Sequence, residues 1–258
     1  MNPINAYILD MDGTLYLDDQ LIEGAKEFVA YLKTNTIPFV LLTNNSSKHA
    51  QAYVDKFRTM GLSLEVSDIL TSGDATIDTL KRMHPDIKRL CLLGNHYLRQ
   101  SFEDAGFVLI DEGTDVDAVV VGFDTDLTYQ KLWHACDCLH AGKPYFATHP
   151  DKVCPLKDGA SMPDVGAFMA LLETATGRKP TIIGKPYGPM LEFVRTRLNA
   201  PLNTIAVVGD RLYTDMQMAH EYGMQSILVL SGETKEEDLR ESHLTPTLVI
   251  PSIKSLLP

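Results

Sequence analysis

Two aspartates two residues apart, Asp10 and Asp12, follow the apolar pair Ile8 and Leu9 and precede Gly13. Gly13 permits a sharp exit from a strand, which would turn both carboxylates toward one cavity. One carboxylate so placed can attack a phosphoryl group and form an acyl phosphate. The second, protonated in that step, can donate to the leaving alkoxide and later activate water. Taken alone, the same residues equally suit a turn. Thr43-Asn44-Asn45-Ser46-Ser47 lies between a strand pattern and a helix pattern. Backbone N–H groups and the helix dipole favour an anion there, and capping by Ser46 or Asn45 can coexist with that role. Lys185, between Gly184 and Pro186, is either a solvated surface lysine or a partner for phosphate oxygens. Asp210 and Asp215 follow the apolar run Ile205 to Val208. Carboxylates at such an exit suit Mg²⁺, which would let Asp10 approach a phosphate dianion; turn chemistry is again the alternative. All four groups follow an apolar run, and together they are more economically one site than four coincidences.

Such groups converge only if the elements carrying them are parallel strands, since ligands in open α/β sheets bind at the strands' carboxyl ends. The pattern meets this condition. Continuously hydrophobic runs at Tyr7-Leu9, Phe39-Leu42, Leu90-Leu93, Ala118-Val121, Tyr145-Ala147, Thr181-Ile183, Thr204-Val208, Ser226-Leu230 and Thr247-Ile250 alternate with helical patterns, as in βαβ units of the α/β class. One helix is predicted after Ser46, with Ala50, Tyr53, Val54, Phe57 and Met60 on its apolar face and Gly61 as its stop. Another opens at Pro189 and carries Met190, Leu191, Val194 and Leu198. The chemical groups cluster toward both ends of the chain. A core of residues 1–74 and 181–258, with an α/β domain of residues 75–180 inserted into it, is therefore expected.

The composition bounds the function. With 258 residues, 45% of them hydrophobic and 22% charged, the chain can bury a core without disulfides. A formal charge of −11 opposes nucleic acid and other polyanions, so a small phosphorylated ligand is the expected partner. No run is long and apolar enough to span a bilayer, and Met1 to Leu9 lacks a basic segment or cleavage site, which predicts a cytoplasmic protein without a membrane partner. The four cysteines, Cys91, Cys136, Cys138 and Cys154, lack Cys-x-x-Cys spacing and are expected to be reduced thiols. Cys136 and His140, four apart, could share a metal, but Cys136 also falls on an apolar face with Leu132 and Leu139.

The four groups resemble the four motifs of the haloacid dehalogenase superfamily. Within it the chain is similar to the NagD-like, 4-nitrophenylphosphatase-like branch through Asp12-Gly13-Thr14-Leu15-Tyr16, Leu42-Thr43-Asn44-Asn45-Ser46, Ala147-Thr148-His149-Pro150-Asp151, Gly177-Arg178-Lys179-Pro180, Ile183-Gly184-Lys185-Pro186 and Val208 to Asp215. This resemblance implies a Rossmann-like core with an α/β cap inserted between the second and third motifs. It also implies a Mg²⁺-dependent phosphatase working through an aspartyl-phosphate. Asp10 would be nucleophile and metal ligand, and Asp12 the acid/base whose carbonyl also meets the metal. Thr43, Asn44 and Lys185 would hold the phosphate together with Asp12, and Asp210 and Asp215 would complete the metal site, Asp215 by orienting the ligand shell. Dehalogenases lack an acid at the position of Asp12, so its presence favours ester hydrolysis. The chain departs from the branch at His149, which either touches a substrate or fills a turn, and at Pro163-Asp164-Val165-Gly166. Substitutions at His149 or Asp151 are expected to alter substrate choice. Cap-mediated dimers among relatives make a homodimer an expectation. The rival readings are a phosphomutase or phosphotransferase, a phosphoacceptor signalling domain, and a phosphate-binding protein without turnover.

Overall fold

Uninterrupted apolar runs signal strands covered on both faces, and the runs ending at Leu9 and Gly209 become the two central strands of a six-stranded sheet. In the computed structural model, which describes residues 3–155 and 160–258, its strand order is Leu248–Ile250, Gln225–Val229, Ile205–Gly209, Ala6–Leu9, Phe39–Thr43 and Ile69–Thr71. Leu9 stands opposite Val208 on one side and Leu41 on the other, both in parallel. The strand exits at Leu9, Thr43 and Gly209 consequently open on one edge of the sheet. The helices Ala25–Thr34 and Ala50–Thr59 bury Phe28, Leu32, Tyr53 and Phe57 in the core of this unit. By its contacts, the unit comprises the chain up to Thr43, Ala50–Leu70 and Val194–Pro258.

The second compact unit, Asn44–His49 with Thr71–Phe193, has its own five-stranded sheet in the order Thr181–Ile182, Tyr145–Ala147, Ala118–Val121, Arg89–Leu93 and Val108–Leu109. Every pairing in it is parallel. Helices Tyr129–His140 and Val165–Thr176 pack Cys138, Leu139, Phe168 and Leu172 against Val119 and Val121. Thr128 caps the first of these helices. Asp164 accepts the first N–H of the second, and Gly177 ends it in the left-handed region. On the outer side of Tyr129–His140, Tyr129 and Trp133 are exposed and meet edge to face, with ring centroids 6.3 Å apart. Val153–Pro155 and Ser161–Pro163 form a short antiparallel ribbon.

These elements differ from the sequence expectation in particular places. The strand Thr181–Ile182 pairs with Tyr145–Ala147 in the second sheet, and the second unit runs on to Phe193 and includes Asn44–His49; the expected division fell at residues 74 and 180. Ser46 caps no helix. Its hydroxyl accepts the Phe123 N–H (2.9 Å) and lies 3.1 Å from Thr148 Oγ1, while the helix begins only at Ala50. The helix opening near Pro189 spans Gly188–Arg195, so Leu198 lies beyond it. His140 is exposed while Cys136 packs against the core, and neither belongs to a group of three converging ligands among the described residues. All four cysteines are free, and no helix among the described residues is long and apolar enough to cross a membrane.

Candidate active site

Asp10 leaves the central strand with its N–H donating to the Val208 carbonyl (2.8 Å), which fixes the start of the turn. The Met11 carbonyl then accepts from the Thr14, Leu15 and Tyr16 N–H groups, and Gly13 takes φ +80°. A Cβ at Gly13 would overlap the Asp210 carboxylate, so glycine serves both the conformation and the close approach. Thr14 Oγ1 lies 3.5 Å from Asp10 Oδ2. On the neighbouring strand exit, Asp210 is buried, and its Oδ2 accepts the Glu233 N–H at 2.7 Å. Asp215 sits in the π-helical turn Leu212–Met216, also buried, with Thr214 Oγ1 3.4 Å from its Oδ2.

One carboxylate oxygen from each of Asp10, Asp210 and Asp215 lies within 4.8 Å of the others. Burial pushes the Asp210 carboxyl well above the ordinary carboxylate range, and the nearby charges of Asp10 and Asp215 push it further. Its Oδ1 is buried and has no hydrogen-bond partner. Three converging carboxylates, one of which carries an unsatisfied buried oxygen, fit a small divalent cation of the Mg²⁺ type. The Asp215 carboxylate is thus itself a member of the cluster. Asp12 is exposed at the turn, and its side chain is outside the cluster. Thr43 is buried at the last position of its strand.

In the second unit, Asn44 and Lys185 are brought together although 141 residues separate them. Lys185 N–H donates to Asn44 Oδ1 (2.8 Å), and Asn44 Nδ2 donates to the Lys185 carbonyl and to Asp151 Oδ1, each at 3.1 Å. Lys185 is buried, and the Lys185–Pro186 peptide is cis. His149 is fully buried. Its Nε2–H donates to Asp164 Oδ1 (2.9 Å), and its Nδ1 lies 2.9 Å from Thr148 Oγ1. It therefore fills the interior of its unit rather than presenting a ring to a ligand, and Asp151 is likewise buried beneath Asn44.

Two supporting groups were not visible as chemistry in the sequence. The Glu233 N–H holds Asp210, and Ser231 Oγ donates to the Gly13 carbonyl (2.8 Å). Ser231-Gly232 follows the strand Gln225–Val229, and that repetition of the strand-exit pattern is the signal that could have found them.

Residues 7–108 match the haloacid dehalogenase-like hydrolase family, and residues 182–256 match a second, HAD-hydrolase-like family. The chain is 33% identical over 247 residues to an acid sugar phosphatase of Staphylococcus epidermidis, covering 96% of this chain and 94% of that protein. Among solved structures it resembles a 4-nitrophenylphosphatase from Thermotoga maritima (TM-score 0.92, 45% identity, 98% of this chain and 96% of that one). It also resembles NagD from E. coli K-12 (TM-score 0.90, 30% identity, 99% of each chain). With a buried carboxylate cluster at the strand exits where the motifs fall, the chain belongs to the haloacid dehalogenase-like hydrolases, in the branch of NagD and the 4-nitrophenylphosphatases.

Proposed function

We propose that the protein is a Mg²⁺-dependent phosphomonoesterase of the cytoplasm that hydrolyses a small phosphorylated metabolite through an aspartyl-phosphate. The observation carrying this reading is the meeting of Asp10, Asp210 and Asp215 with one buried Asp210 oxygen left unsatisfied. Asp10, Asp210 and Asp215, with the Asp12 carbonyl, would hold the ion. When bound, Mg²⁺ offsets the carboxylate charge, so that an anionic nucleophile and a phosphate dianion can approach one another.

Asp10 attacks phosphorus and forms an acyl phosphate as the bond to the leaving oxygen breaks. Asp12, exposed at the turn, gives that oxygen its proton, then takes one from the water that attacks the acyl phosphate and releases inorganic phosphate. Thr43, Asn44, Lys185 and Asp12 hold the phosphate. Because the Asn44 side chain is engaged with Lys185 and Asp151, its contact with phosphate falls to the main-chain N–H. Sugar phosphates, nucleotides and aryl phosphates are the substrate classes, in keeping with relatives named acid sugar phosphatase and 4-nitrophenylphosphatase. Residues 75–180, which contain none of the assigned catalytic groups, are assigned substrate selection and the contacts of a homodimer.

The test is phosphate release from a metabolite panel and from nitrophenyl phosphate, with Mg²⁺ present and then chelated. Turnover is expected only with the ion, and Asp10→Asn should fold yet release no phosphate. Full turnover in excess chelator, or near-native turnover by Asp10→Asn, would overturn the mechanism.

A further inference from the structure

Outside the carboxylate cluster, a different donor set converges in the second unit. Cys91 lies in the strand Arg89–Leu93, and His134 and Cys138 occupy one face of the helix Tyr129–His140, four residues apart. One ligand atom of each lies within 4.8 Å of the others. Cys91 Sγ is 3.4 Å from His134 Nδ1, and Cys138 Sγ touches the same ring on its other side, 3.5 Å from the Nε2 that is held by the backbone. The Gly113 carbonyl accepts the Nε2–H at 2.7 Å, the kind of backbone partner that orients a metal-bound histidine and leaves its other nitrogen to ligate.

We propose that Cys91, His134 and Cys138 bind one thiophilic divalent ion of the Zn²⁺ class. Two thiolates and an imidazole select a borderline-soft ion over Mg²⁺. Tetrahedral bonds of about 2.3 Å to sulfur and 2.0 Å to nitrogen place ligand atoms roughly 3.6 Å apart, so even a pair at the 4.8 Å limit would close by a shift of about an ångström. Both sulfurs are buried in the unit's core. Cys91 and His134 also line a cavity of about 520 Å³ with Arg99, Asp111, Glu112 and Gln130. The cavity gives the ion an entry route and leaves room for a water or an acidic oxygen as fourth ligand.

The test uses the full chain, reduced and freed of metal, titrated with Co²⁺ and followed by absorption. A thiolate-to-cobalt charge-transfer band in the near ultraviolet, saturating at one ion per chain and displaced by Zn²⁺, is expected. Binding at the carboxylate cluster gives no such band, so Asp10→Asn and Cys136→Ser should retain it, whereas Cys91→Ser and Cys138→Ser should weaken the affinity at least about tenfold. His134→Gln keeps both thiols and should show the band only at similarly raised cobalt. Absence of the band in the native reduced protein would overturn the proposal, even if the serine variants failed to fold. So would a band of unchanged strength in folded Cys91→Ser, or a Cys91–Cys138 disulfide in the protein as isolated.

Discussion

The two oxygens of Asp210 are in opposite circumstances: Oδ2 holds the Glu233 N–H while Oδ1 has no partner, beside two more carboxylates. Burial, reinforced by those two neighbours, raises the Asp210 pKa, so without a cation the folded state binds a proton there more tightly than the unfolded chain does, whose pKa is about 3.9. Between those two pKa values the folded state carries more protons, so stability falls as pH rises. The contribution is complete below pH of about 4 and is lost as pH passes through the raised pKa, at no more than about 1.4 kcal/mol per pH unit. Asp210→Asn removes the titration and keeps an acceptor for Glu233. In chelator, the variant's stability advantage over the native chain is thus expected to grow with pH above 4 in denaturant melts, and Mg²⁺ should abolish it. Parallel stability curves would mean that neither burial nor the neighbouring carboxylates raise the Asp210 pKa. Asp10, Asp210 and Asp215, the three carboxylates that the fold brings together, could be picked out in the sequence because acids set at or just past the ends of apolar runs stand out against the buried strands that precede them. The Glu233 contribution was not, because a main-chain N–H carries no side-chain signature.

At the scale of elements, the Asn44 side chain acts as a clamp on the Lys185 backbone, accepting its N–H and donating to its carbonyl. Asn44→Ala strips the Lys185 N–H of that acceptor inside a buried loop, at an expected cost of about 1–3 kcal/mol. A urea midpoint unchanged from native would show that the clamp does not stabilise the loop. His149 belongs to the same scale. It joins Thr148 to Asp164, whose Oδ1 also accepts the first N–H of the helix Val165–Thr176. His149→Ala should accordingly lower stability and leave the ranking of substrates unchanged; a changed ranking with native stability would restore a role for His149 in selection. The long buried strands could be read from the sequence because four or five apolar residues in succession need cover on both faces. Ile69–Thr71, Val108–Leu109 and the ribbon Val153–Pro155 with Ser161–Pro163 are too short to show a period. The second-sheet membership of Thr181–Ile182 depends on a partner some 35 residues earlier, Phe146 and Ala147, which no local pattern records.

Across the whole molecule the formal charge is −11, so its long-range field opposes the anionic substrate that the site is proposed to take. Raising salt from about 0.01 M to 0.15 M shortens the screening length from roughly 30 Å to 8 Å. An increase in kcat/KM for nitrophenyl phosphate over that range is expected, and a decrease would mean that local positive charge governs the approach. The α/β class was readable from the alternation of apolar runs and helical patterns along the chain. The limits of each unit were not, since they depend on which sheet each strand joins. Trp133, exposed on the helix Tyr129–His140, is the chain's single tryptophan. Its emission therefore comes from one unit alone, while far-ultraviolet dichroism sums over both sheets. Overlaying the two melting curves tests whether the molecule unfolds as one cooperative body, since a gap between them would reveal a species that has lost one sheet and kept the other. One position from His134, the same indole is also a built-in fluorophore, which a paramagnetic ion such as Co²⁺ should quench on arriving at the thiolates.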